Sequence, residues 1–282
     1  MMEHFVRLFR KNISKVLIYL GITCGAIVMV TPFLYMVSTA FKKHSYSLAF
    51  DPGLIPANPT ITNFIKTWKM NNFQLYFRNS LFVAITSVLF VVLVSSMMAY
   101  AFARFEFPGK EIIFFTILIV LMVPNMVCLI PQFLLAKTLG LRNSLWGLIL
   151  FYVSGMVPFN TFLLRGFFET LPKELEDAVL IDGGSYFTVY RKIILPLSTP
   201  ALATISIFSF LGFWDEFILA LTFIDDTSKR TLPIAIATLQ GQYATEWGWV
   251  FAASIIAVIP VIIVFVSLQK YFVGGITSGA FR

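Results

Sequence analysis

Few residues in this sequence stand in patterns that perform covalent chemistry. Cys24 and Cys128 lie inside apolar runs, His4 and His44 sit in a tail and a loop, and no metal-ligand spacing links them. There is no His-Glu-x-x-His constellation for a catalytic zinc, and no Gly-x-x-x-x-Gly-Lys-[Ser/Thr] loop to cradle nucleotide phosphates. The expectation is no catalytic residue, no metal and no cofactor bound by this chain. What remains is a cluster of acids. Residues 169–198 hold Glu169, Glu174, Glu176, Asp177 and Asp182, five of the fourteen carboxylates in the chain. Small apolar residues interleave with them, a pattern suited to recognition by another protein.

That segment has readable local structure. Pro172 suits the opening of a helix, where its missing N–H would be unpaired anyway. Leu175, Ala178, Val179 and Asp182 then fall on one face at spacings of three and four. Gly183-Gly184 stops the helix, because glycine enters the left-handed region at little cost. Ser185 is placed to cap a second helix through Arg191, and Leu195-Pro196 breaks the chain. An acidic loop is unsuited to an anionic membrane surface, so protein docking is the better reading than a merely solvated excursion.

The elements that must position this segment are apolar. Of 282 residues 58% are hydrophobic and only 12% charged, against about a quarter in soluble domains, and the mean hydropathy is +0.85. So much apolar surface belongs in lipid. Runs long enough to cross about 30 Å of hydrocarbon occupy about 16–41, 78–103, 112–136, 144–168, 199–223 and 249–271. The expected fold class is therefore all-α, a polytopic membrane protein with six transmembrane helices. The first run is too long for a signal peptide and lacks a small-x-small cleavage site, so it reads as a retained span. Pro32, Pro124, Pro131, Pro158 and Pro260 lie within or near spans and can kink them.

With the N-terminus cytoplasmic, twelve Lys and Arg fall on the inner side and nine on the outer, a modest bias in the expected direction. The net charge of +7 sits at helix ends and anchors spans, which disfavours nucleic acid as a partner. The domain reading is a cytoplasmic N-terminal segment 1–15, a six-span domain 16–272, and a cytoplasmic tail 273–282. An inner loop lies at about 169–198 and outer loops at 42–77, which carries Pro52, Pro56, Pro59, Trp68 and a short amphipathic segment, and at 224–248. Asp215 and Glu216, after Trp214, lie in or near the outer half of the fifth run. Charge there is expensive and by default functional or paired.

At this point the segment 177–196 resembles a known family. Inner-membrane permeases of binding-protein-dependent ABC importers carry Glu-Ala-Ala, three residues, Gly, nine residues, Ile-x-Leu-Pro. The matching positions are Asp177, Ala178, Val179, Gly183, Ile193, Leu195 and Pro196, with the spacing intact. Asp177 replaces Glu and Val179 replaces Ala. Further blocks are similar to the carbohydrate branch and the second maltose-type permease: AYAFARFEFPGK at 99–110, LIPQFLLAKTLGLRNSLWGLIL at 129–150, FLLRGFFETLPKELEDA at 162–178, LGFWDEFILAL at 211–221 and VGGITSGAFR at 273–282.

The resemblance implies a type I ABC importer permease fold in a bacterial or archaeal cell membrane, with both termini cytoplasmic. It implies a second homologous permease, two ATP-binding subunits carrying ATP and Mg, an extracellular solute-binding protein, and lipid as partners. ATPase coupling falls to Glu176, Asp177, Ala178, Val179, Gly183, Ile193, Leu195 and Pro196. Trp214, Asp215 and Glu216 become candidates for the translocation path or a partner-permease contact. Gln240, Gly241, Gln242 and Tyr243 become a candidate contact with the binding protein. The implied cargo is a sugar or oligosaccharide, with glycerol phosphate, a polyol or another small solute as alternatives. An ion-coupled secondary transporter would need midmembrane ionisable groups and paired broken helices, which the sequence does not clearly offer beyond Asp215-Glu216.

Overall fold

A computed structural model describes residues 2–43, 53–70, 72–240 and 245–279, with side chains described for 15–43, 53–70, 72–240 and 245–271. Among the described residues the structure is helical, with an isolated antiparallel bridge between Lys42 and Pro59. The helices are α1 Met2–Ala40, α2 Thr62–Lys69, α3 Phe73–Arg104, α4 Lys110–Ile119, α5 Asn125–Thr138, α6 Leu145–Glu169 and α7 Glu174–Ile181. They continue as α8 Tyr186–Val189, α9 Leu195–Leu197, α10 Thr199–Trp214, α11 Ile218–Phe223, α12 Leu232–Thr238 and α13 Trp247–Gly279. The chain forms two compact units, Met1–Met70 with Thr238–Ile256, and Asn71–Ala237 with Ala257–Arg282.

In the first unit, α1 is exposed from Lys15 to Leu34, and among its described side chains the buried ones are in its last turn, at Ser38, Thr39 and Ala40. Helix ends leave carbonyls without intrahelical partners. Here the Asn63 side chain donates to the carbonyls of Ala40 (2.9 Å) and Lys42 (2.8 Å), and Phe41 packs on Phe64 at 5.0 Å. The short amphipathic segment expected within 42–77 is α2. Its Thr67 hydroxyl donates to the Trp249 carbonyl, and Lys66 lies over the Trp249 ring.

The second unit is built on α3, α6 and α10. Phe82 packs on Trp146 in the first part of α3 and at the start of α6, while Arg104, the last residue of α3, donates to the Leu171 carbonyl just past the end of α6. These two helices therefore run parallel. The connection between them, α4 and α5, must carry the chain back along their length. It starts beside the Arg104 end, where Phe114 packs on Phe102, and finishes at Asn143, whose amide donates to the Phe223 carbonyl. Helix α10 runs antiparallel to α6: Ile205 shares a core cluster with Leu164, Asn160 bonds Ser209, and Tyr152 stacks on Phe213.

Among the described residues four helices are individually long and apolar enough to cross a membrane, and the number rises to six if each of two bent pairs is one span. The return required by parallel α3 and α6 supports counting the first bent pair as one crossing. Two expected runs need correction. The run 112–136 is not one straight helix: it breaks before Pro124, with a 105° bend between Lys110–Met122 and Asn125–Thr138. Val123 is extended, as a residue before proline tends to be, and Pro124 caps the second half. The run 199–223 ends as a helix at Trp214, and its broken span begins earlier, as Tyr186–Leu197 joined to Thr199–Trp214 at 76°. The break falls at Ser198, not at Leu195-Pro196.

Candidate functional site

Helix α7 stands at the Arg104 end of the α3–α6 pair. It begins at Glu174, two residues after Pro172, with Lys173 as its N-cap and Glu174, Glu176 and Asp177 in its first turn. Carboxylates there oppose the positive end of the helix dipole. Its other end closes as expected from Gly183-Gly184. Gly183 takes φ +80°, its amide donates to the Leu180 carbonyl (3.1 Å), and the Gly184 amide reaches the Val179 carbonyl (2.8 Å). This is the Schellman pattern, which satisfies two orphan carbonyls within one turn. The chain then reverses into Ser185, whose hydroxyl accepts from the Thr188 amide at 3.3 Å as the cap of α8.

The second half is fixed from below. Val189, Tyr190 and Ile194 join Ala99, Tyr100, Leu164, Phe168 and Ile205 in a buried cluster, with Val179, Leu180, Ile193 and Leu195 packed around it. Tyr190 shares a 2.7 Å hydrogen bond with Ser96, and the Tyr100 hydroxyl donates to the Tyr186 carbonyl. Residues 190–194 form a π-helical stretch. Pro196 has no amide hydrogen to close a turn onto Lys192, and its ring needs space there. A widened turn immediately upstream provides that space without stopping the helix.

The exposed surface of α7 and of the turn and helix after it includes Leu175, Asp177, Ala178, Asp182, Phe187 and Ile181, the last 85% exposed, with Arg191 and Lys192 exposed further along. It mixes acids with small and large apolar groups, a composition suited to a cleft with basic and apolar walls. Two expected members are turned away. Val179 is half-buried against the internal cluster, so it does not share the open face with Leu175, Ala178 and Asp182. Glu176 is buried and accepts from Arg104 Nε at 2.5 Å, with side-chain exposures of 9% and 5%. Arg104 also donates to the Leu171 carbonyl at 3.0 Å. Of the remaining candidates, Gly183 shapes the turn, Pro196 is exposed, and Ile193 and Leu195 are half-buried.

The triplet at the other end of α10 has a different arrangement. Trp214 is buried, donates its indole N–H to the Ala257 carbonyl at 3.0 Å and stacks on Phe210. Glu216 accepts from the amides of Leu219 and Ala220 and from the Tyr152 hydroxyl at 2.6 Å, so it caps α11 and ties it to α6. Asp215 alone of the three is exposed, at the C-terminal cap of α10. In the following loop, the Asp226 carboxyl accepts from the Ser228 amide and hydroxyl, which hold it below the usual carboxylate range. Asn143 locks this loop, accepting from the Asp226 amide and the Lys229 ammonium, and Arg142 pairs with Asp225. Gln240 is exposed, while Gly241, Gln242 and Tyr243 lie outside the described residues.

Sequence reasoning passed over Arg104, Ser96 and Tyr190. Arg104 read as a span-end anchor, and nothing local marks it as the partner of a carboxylate 72 positions away. Its place within the block AYAFARFEFPGK was the available signal.

Known proteins share this architecture. Over 259 residues the chain is 38% identical to the probable ABC transporter permease protein YurM of Bacillus subtilis, covering 89% of this chain and 83% of that one. It is 34% identical to the trehalose/maltose transport system permease protein MalG of Thermococcus litoralis, over 96% of this chain and 98% of that one. A chain of the crystal structure of a bacterial ABC transporter involved in alginate import superposes with TM-score 0.82 at 22% identity, over 93% of this chain and 97% of the other. That likeness establishes the fold. The model of the binding-protein-dependent transport system inner membrane component family matches residues 91–278, more than half the sequence. The chain therefore belongs to that family, as a multi-pass permease component of an ABC importer.

Proposed function

We propose that this chain forms half of the transmembrane pathway for a sugar or oligosaccharide. An extracellular binding protein delivers the cargo, and two cytoplasmic ATPases power its import. Family membership carries the reading, and the 34% identity to a trehalose/maltose permease along nearly the whole chain points to the cargo class. Residues 174–197 supply the docking element. Their acid-and-apolar outer face receives the ATPase, and Asp177 offers it a carboxylate. Ala178 is small enough to enter a cleft, and Gly183 sets the turn that presents both. ATP and Mg are held by the partner subunits. Closure of the ATPase pair moves this element as a rigid body and switches the direction in which the spans open.

On this reading the Arg104 end of the bundle and both termini are cytoplasmic, and the loop at 224–248 faces the binding protein through Gln240, Gly241, Gln242 and Tyr243. Asp215 is the member of its triplet best placed to meet cargo or the second permease, since Trp214 and Glu216 are occupied within the chain. The test is ATPase activity and uptake by the purified complex with its binding protein, over a panel of sugars, polyols and glycerol phosphate. Stimulation by a sugar is expected. Uptake that survives ATP depletion but collapses with the proton gradient would overturn the mechanism. Asp177→Lys and Gly183→Val are expected to uncouple transport while leaving the chain in the membrane; wild-type uptake in both would refute the docking assignment.

A further inference from the structure

The docking segment could be held by apolar packing alone, since Val179, Leu180, Ile193 and Leu195 already lie on the buried cluster. Such packing is non-directional. It would let a two-turn helix rotate or slide when pushed, and a helix as short as Glu174–Ile181 has little stability of its own. One contact removes that freedom. Arg104 is the last residue of α3, a helix of 32 residues. Its guanidinium donates through Nε to Glu176 in the first turn of α7, and through a second nitrogen to the Leu171 carbonyl in the link from α6. A planar guanidinium with two bonds in different directions fixes orientation as well as distance. Burial of both side chains protects the contact from screening.

We infer that Arg104 is a positioning residue for energy coupling: through Glu176 it makes α7, the α6–α7 link and the end of α3 move as one body. Glu176 stands next to Asp177 and Ala178 of the open face, so a push on that face reaches α3 one residue away. This inference rests on the proposed docking of α7 to an ATPase. It makes Glu176 part of the internal linkage and leaves contact with the partner to its neighbours.

The experiment uses the full complex with its ATPases and binding protein in proteoliposomes, and reads sugar uptake and ATP hydrolysis in the same preparation. In Arg104→Gln, uptake per ATP hydrolysed is expected to fall about tenfold, with ATP hydrolysis retained but no longer stimulated by the loaded binding protein. The exchanged pair Arg104→Glu with Glu176→Arg is expected to recover much of the ratio. Should Arg104→Gln fail to assemble, Arg104→Lys serves. A single ammonium keeps the charge but not the fixed two-way geometry, and the uptake-to-hydrolysis ratio is expected to fall several-fold. A wild-type ratio in whichever of these variants assembles, or equal loss of both activities in an intact complex, overturns the inference. Asp177→Lys in the same assay separates the two levels. If it uncouples while the Arg104 variants do not, only the linkage fails; if it too behaves as wild type, the docking reading fails.

Discussion

Two adjacent glycines close α7, and the structure distinguishes their roles. Gly183 sits at φ +80° with open space where a Cβ would stand, so Gly183→Ala pays only the left-handed backbone cost, about 1–2 kcal/mol. A Cβ on Gly184 would lie 2.6 Å from Val179 Cγ1 and 2.7 Å from the Val179 carbonyl oxygen. Optimal carbon contacts are about 3.5–4.0 Å, so something must move. The Val179 side chain is β-branched and stiff within a helix. Its carbonyl accepts the Gly184 amide at 2.8 Å, and withdrawing it forfeits that bond, a net loss of about 1 kcal/mol. Overpacking and the lost bond together put Gly184→Ala at about 2–4 kcal/mol, above Gly183→Ala. Adding Val179→Ala removes the methyl overlap but not the carbonyl overlap, so rescue is partial. Thermal unfolding of the purified complex measures the order. If Gly184→Ala unfolds with or above Gly183→Ala, the reasoning from this turn is wrong.

Other perturbations test other joints. Asn160 donates to Ser209 between α6 and α10, both fully buried; a double-mutant cycle with Asn160→Leu and Ser209→Ala is expected to show coupling of about 0.5–2 kcal/mol in unfolding measurements. Glu216→Ala removes the cap of α11, at about 1–2 kcal/mol, and Glu216→Gln, which keeps one acceptor, is expected to cost less in the same melt. The carboxyl of Asp226 is held below the usual carboxylate range by Ser228. Its stabilising contribution is therefore present above the unfolded value of about 3.9 and lost as pH falls through the lower folded value. Hydrogen-exchange protection of the Ser228 amide is expected to be unchanged from neutral pH to about 5 and to fall only in stronger acid; an Asp226-dependent fall between pH 7 and 5 would contradict it.

Features set by local chemistry were legible in the sequence. Apolar runs located the four straight candidate spans, while Gly183-Gly184 located the end of α7 and Ser185 the next cap, because each of those two depends on residues within one turn. Pro124 was named with Pro32, Pro131, Pro158 and Pro260, but sequence did not separate the proline at the break from those retained inside helices. That distinction depends on whether neighbouring helices hold the flanking turns in line. The five acids of 169–198 also look alike in sequence. Only the register of α7 against α3 buries Glu176 on Arg104 and leaves Asp177 exposed. Glu216 read as either functional or paired, and sequence could not name the partners that take its oxygens, Leu219, Ala220 and Tyr152. Long-range partners of this kind leave no local pattern.

The central claim is that the open face of α7 is where a separate nucleotide-hydrolysing subunit takes hold. Site-directed crosslinking tests it most directly. Cysteine is placed at Ala178 or Ile181 after Cys24 and Cys128 are replaced, and paired with cysteines along the cleft of the ATPase in the assembled transporter. The account predicts crosslinks from both positions, with yields that change when ATP binds. An intact, active complex in which neither position can be joined to the ATPase would contradict it.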